Sequence, residues 1–157
     1  MREFFWAVMS MVLALLLSVV SAPNLEVWAR PEWLLLVLLY WTSVRPEYFG
    51  ALLAIALGLL QDSIRGSFLG LHVLVYGLIA CVVLTAYQRV RMFNVWQQMF
   101  GVLLLVALSQ LIEQLAGWVH GMAFMDGWWL LPAPISMLLW PLLRWFLDSL
   151  RAGRNTL

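Results

Sequence analysis

Six times along its length the chain runs through an apolar stretch with at most one charge. Residues 4–22, 33–44 and 69–87 contain no Asp, Glu or Arg, and residues 48–64, 95–118 and 128–147 contain one each. Runs of this kind exceed what a globular core needs, whereas about 20 apolar residues wound as a helix cross a bilayer's hydrocarbon core. Composition points the same way. Hydrophobic residues make up 64% of the chain and charged residues 11%, against about 45–50% and about 25% in a soluble domain. The expected fold is therefore all-α and integral to the membrane: one transmembrane domain over residues 1–157, a six-transmembrane-helix bundle with spans at about 4–22, 33–44, 48–64, 69–87, 95–118 and 128–147. Net charge is +1, which offers no field for nucleic acid. The single cysteine, Cys81, lies inside an apolar run and is expected to pack as a small hydrophobe.

The junctions refine this picture. The first run ends in Val20-Ser21-Ala22, which mimics a signal-peptidase site. It is longer than a secretory core, and Pro23 would follow the cut, so an uncleaved first span is expected. Pro31 suits the first position of a helix, and Glu32 beside it complements the positive end of the helix dipole. The second run, Trp33–Val44, is short: at about 1.5 Å per residue it falls well below the roughly 30 Å hydrocarbon core, so it must borrow flanking residues, thin the bilayer or be sheltered by neighbours. Asn94 with Gln97 three residues on has the pattern of a capping box. Pro132, Pro134 and Pro141 interrupt the last span, which a membrane helix tolerates where neighbours satisfy the freed carbonyls. Most of the ten tryptophans fall near span ends, as in an aromatic belt; Trp41 and Trp140 are expected to pack inside. All nine basic residues are arginine. With six spans, Arg2, Arg45, Arg89, Arg91, Arg144, Arg151 and Arg154 collect on one side and Arg30 and Arg65 on the other, which places both termini in the cytoplasm (N-in, C-in).

The same topology gathers polar residues at one depth. Ala54, Gly58, Asp62 and Gly66 share a helical face, and a stripe of small residues marks close helix approach in a membrane. Gln61 and Asp62 lie near the outer end of the third span with Arg65 beside them. Gly66 and Gly70 have G-x-x-x-G spacing across the following turn, and His72 opens the fourth span. Gln110, Glu113 and Gln114 lie on one face of the fifth. Two arrangements accommodate these residues: a polar pocket or docking notch open to the outer side, or an internal hydrogen-bond network between helices, whose bonds are each worth about 0.6–2 kcal/mol. Ionisable groups at such a depth are functional candidates by default.

Chemistry-bearing motifs are otherwise absent. The sequence holds no G-x-x-x-x-G-K-S/T phosphate loop and no G-x-S-x-G elbow. His72 and His120 are too far apart in sequence to suggest a zinc site. An Asp62–Glu113 carboxylate pair would need a close approach that nothing in the sequence enforces. No enzyme activity, cofactor or metal is expected.

Three stretches together resemble the MreD family, the rod shape-determining membrane proteins of bacteria, in its proteobacterial form: Arg30-Pro-Glu-Trp33 leading into Leu34–Trp41, Gly58–Gly70 with its central Asp62, and Gln88-Arg-Val-Arg-Met-Phe-Asn-Val-Trp-Gln-Gln98. The resemblance covers nearly the whole chain. Asn94 stands where the family usually has proline. The resemblance implies a multi-pass protein of the bacterial cell inner membrane, a non-enzymatic scaffold of the elongasome that supports lateral peptidoglycan synthesis and rod shape. It implies an MreC-like single-span coiled-coil partner, the RodA glycosyltransferase with its class B penicillin-binding protein, and MreB filaments on the cytoplasmic side. Arg89 and Arg91, in the loop expected on that side, are candidate contacts for a cytoplasmic partner, beside their ordinary role in positive-inside anchoring. It also implies a fold similar to the S component of energy-coupling-factor transporters. That likeness keeps a second expectation open, a small-molecule-binding transporter component with an outward polar pocket.

Overall fold

The computed structural model describes residues 2–20, 31–66, 69–121 and 127–152. Pro23, Asn24, Trp28, Arg30, Asp126 and Arg154 lie outside the described residues. Among the described residues six α-helices follow one another: α1 (Arg2–Val20), α2 (Trp33–Val44), α3 (Ala51–Arg65), α4 (Leu71–Met92), α5 (Val95–Val119) and α6 (Pro132–Ala152), with a 3-10 turn at Gly127–Leu130 before the last. No strand occurs among the described residues.

The shortest helix is the centre of the bundle. In α2 every residue from Leu34 to Thr42 is buried, because α1, α4 and α6 pack around it. A helix apolar on all sides is a core helix, and twelve residues reach only about 18 Å. Its shortness is thus met by shelter from neighbours rather than by contact with lipid. Trp41 donates its indole N–H to Ser10 Oγ at 2.9 Å, fixing α1 against α2, and its ring packs on Phe49 with centroids 5.2 Å apart.

α3 and α4 form the closest pair. Gly58 is where they meet: a Cβ there would lie 2.6 Å from the His72 carbonyl oxygen and from Val73 Cα. The small-residue stripe therefore acts through Ala54 and Gly58, both buried. It does not extend to Gly66, because α3 stops at Arg65 and Gly66 takes the left-handed cap with φ 63°. Gly70 has φ 103°. A side chain at either glycine would meet open space, so these two serve the turn and not helix packing.

Other boundaries shift for local reasons. Tyr48 belongs to the turn after Arg45-Pro46, and α3 begins at Ala51. α4 begins at Leu71 and runs on to Met92. Arg89 and Arg91 accordingly occupy its last turn, where cations complement the dipole, and only Phe93 and Asn94 connect it to α5. The capping box forms there, with the Asn94 N–H donating to Gln97 Oε1 at 3.1 Å. Trp128 lies in the 3-10 turn, and α6 starts at Pro132, the position where a missing N–H costs nothing. Within α6, Pro141 lies in the helix interior.

The outer faces are apolar. Leu52, Leu74, Leu104, Leu138, Leu142 and Trp145 are all exposed, a surface far too greasy for water. By length and composition α5 and the segment Trp128–Arg151 could each cross a membrane; the other apolar helices are shorter. Trp41 and Trp140 are buried as expected. Cys81 is not: it is exposed, on the outward face of α4 rather than in the core.

Candidate functional site

The polar residues converge at one end of the bundle, where α3 ends, α4 begins and α5 ends. Asp62 is fully buried. It sits on the inward face of α3 next to the Gly58 contact, so its carboxylate reaches the start of α4. Oδ2 accepts the Gly70 N–H at 2.8 Å and Oδ1 accepts the His72 N–H at 3.0 Å. These are first-turn donors with no partner inside their own helix, so a side chain from the preceding helix caps α4. The same Oδ1 takes His72 Nδ1–H at 2.7 Å.

Arg65, one turn further, closes the structure. Its Nη2 donates to both Glu32 oxygens, at 2.9 and 3.1 Å, and its Nη1 lies 3.6 Å from Glu113 Oε2. With its amide oxygen turned toward the guanidinium, Gln61 accepts from Arg65 Nε at 2.7 Å. His72 Nε2 stands 3.4 Å from Glu113 Oε1, and the His72 ring meets the buried Tyr76 ring edge to face at 5.7 Å. The Glu32 N–H donates to Ser136 Oγ at 3.3 Å. Five helices, α2 to α6, are joined through these contacts.

Of the expected residues, the fold thus brings Gln61, Asp62, Arg65, His72 and Glu113 into one bonded cluster, with Gly58 beneath it. Gly70 joins only through its backbone N–H, and Gly66 takes no part. Gln110 is buried one turn before Glu113 on α5, and its Oε1 has no hydrogen-bond partner among the described residues. Gln114 is half-buried. Arg89 is exposed at the far end of α4. Three members are new. Glu32, expected to serve only the dipole of α2, makes no cap bond and instead binds Arg65. Tyr76 and Ser136 lie inside the apolar runs 69–87 and 128–147, where nothing in the sequence singles them out. A signal for Glu32 exists: Arg-Pro-Glu occurs twice, at 30–32 and 45–47, flanking the shortest of the described helices.

The chemistry of the cluster is that of a clasp. A general base needs a nitrogen or oxygen aimed at a substrate, but both His72 ring nitrogens face protein carboxylates. Among the described residues no group of three or more His, Cys, Asp or Glu side chains is placed to hold a metal ion. Ionised groups removed from water are retained when each has a partner: Glu32 and Glu113 face the Arg65 guanidinium, and Asp62 accepts two main-chain bonds and one from the His72 ring.

An all-helical bundle with an apolar outer surface and a buried cluster of ionisable groups is the make-up of a membrane protein. Comparison with known sequences gives it a family. The profile described as "rod shape-determining protein MreD" matches residues 1–150, and the curated Rod shape-determining protein MreD of Haemophilus influenzae is 32% identical over 139 residues, 88% of this chain and 86% of that protein. The chain belongs to the MreD family of rod shape-determining proteins. No solved structure matches it.

Proposed function

We propose that this chain is a non-enzymatic scaffold of the elongasome in the bacterial inner membrane, crossing it six times with both termini in the cytoplasm, in a bundle similar to the S components of energy-coupling-factor transporters. It supports lateral peptidoglycan synthesis and rod shape by holding an MreC-like single-span coiled-coil protein together with RodA and a class B penicillin-binding protein; MreB filaments meet it from the cytoplasm. One observation carries this reading: Asp62, Arg65, His72, Glu113 and Glu32 use their bonds on one another. The outer end is thereby locked, and the apolar helix faces are left as the surface against which a partner's transmembrane helix packs. The orientation rests on the arginine bias, and it puts the clasp at the outer face.

The test is affinity capture of the tagged, full-length protein from gently solubilised native membranes. Stoichiometric recovery of a single-span coiled-coil protein, followed by the cell-wall synthases, is expected. Recovery with an ATPase pair and a coupling subunit would overturn the assignment in favour of a transporter component.

A further inference from the structure

The opposite end of the bundle carries a cavity of about 410 Å³, a size typical of small-ligand sites. It lies where α2 ends, the Arg45–Glu47 turn passes, α5 begins and the last turns of α6 close over. Arg45, Arg144 and Arg151 line it, together with Glu47, Asp148 and the rings of Tyr40 and Trp140. The two carboxylates leave the lining with one positive charge in excess. Asp148 is committed: it accepts the Tyr40 hydroxyl at 2.6 Å and pairs with Arg144 at 3.5 Å and Arg151 at 3.8 Å. Arg144 also donates to Gln98. A guanidinium has five N–H donors in a rigid plane, more than these acceptors occupy.

We propose that this cavity binds a phosphate group, held by the guanidinium forks of Arg45, Arg144 and Arg151 that line it. Planar guanidinium forks match phosphate oxygens in pairs. A phosphodiester's single negative charge would neutralise the lining, and the cavity lies at helix ends, the level at which lipid headgroups sit. The phosphate comes either from an anionic phospholipid or from a soluble phosphate compound. This assignment is independent of which partners the scaffold holds and of which way the bundle faces.

The full-length protein in detergent is incubated with dioctanoyl phosphatidylglycerol, with dioctanoylglycerol or with inorganic pyrophosphate, and bound species are counted by native mass spectrometry. Retention of phosphatidylglycerol but not dioctanoylglycerol, weakened at least tenfold in the Arg45→Gln/Arg151→Gln variant, is expected and identifies a lipid headgroup site. Retention of pyrophosphate alone, with the same arginine dependence, supports the phosphate site and assigns it to a soluble compound. Should the arginine variant fail to accumulate, Ser43→Trp fills the cavity from its lining without touching a charge and must abolish retention. No retention of either phosphate probe by the unaltered protein, or retention indifferent to Ser43→Trp, overturns the proposal.

Discussion

Replacing Asp62 by alanine removes three bonds at once: the Gly70 N–H at 2.8 Å, the His72 N–H at 3.0 Å and His72 Nδ1 at 2.7 Å. Interhelical polar bonds in membrane proteins contribute about 0.6–2 kcal/mol each, so their loss alone amounts to roughly 2–6 kcal/mol. The change also leaves the His72 ring N–H and two first-turn N–H groups buried without their acceptor, so the expected destabilisation for Asp62→Ala lies in the upper part of that range, about 3–6 kcal/mol. Asp62→Asn keeps one acceptor oxygen and should lose about half as much. The assay is reversible unfolding in mixed micelles at rising SDS fraction, with Leu52→Ala as the reference because Leu52 is exposed on the same helix. A double-mutant cycle with His72→Ala should return a coupling of at least about 1 kcal/mol. If Asp62→Ala unfolds no more readily than Leu52→Ala, the carboxylate does not cap α4 and the clasp is wrong.

Three further outcomes follow from the same packing. Gly58→Ala should destabilise by about 1–3 kcal/mol through overpacking, since its Cβ meets the α4 backbone at 2.6 Å, whereas Gly101→Ala, with no atom near the added carbon, should be neutral or stabilising; equal losses in the SDS titration would contradict the close approach. Arg65→Lys keeps the charge but loses the fork on Glu32, so it should cost about 0.6–2 kcal/mol; in the Glu32→Gln background the same change should cost clearly less, and an undiminished cost would show that the two do not interact. Cys81 is exposed on α4 and faces lipid, so Cys81→Leu should change stability by less than about 0.5 kcal/mol in the SDS titration; a loss of about 1–3 kcal/mol, as overpacking gives, would place it in the core.

Local pattern made some of this architecture legible in the sequence. The bounds of α2 follow from Pro31 before it and Arg45-Pro46 after it, since neither proline can continue a helix. The inward placement of Asp62 follows from its four-residue spacing to Gly58 and Ala54. The stripe failed at Gly66 because periodicity cannot reveal where a helix stops, and the left-handed cap at φ 63° is what ends it. Arg89 and Arg91 read as a loop because their charges interrupt an apolar run, yet arginine is a good helix former and its charge suits a helix C-terminus. Glu32 was hidden for a different reason. Its partner is 33 residues away on another helix, and no one-dimensional pattern encodes which two helix ends meet. The cavity at the other end was hidden likewise, because Arg45, Gln98 and Arg151 come together only once α2, α5 and α6 have packed.

The most direct measurement of the central claim is cell shape in the source bacterium when this chain alone is switched off. A scaffold of the side-wall machinery predicts that rods widen and round up within a few generations and that re-expression of the unaltered chain restores their width. Cells that keep their rod shape after the protein has gone from the membrane would contradict the account.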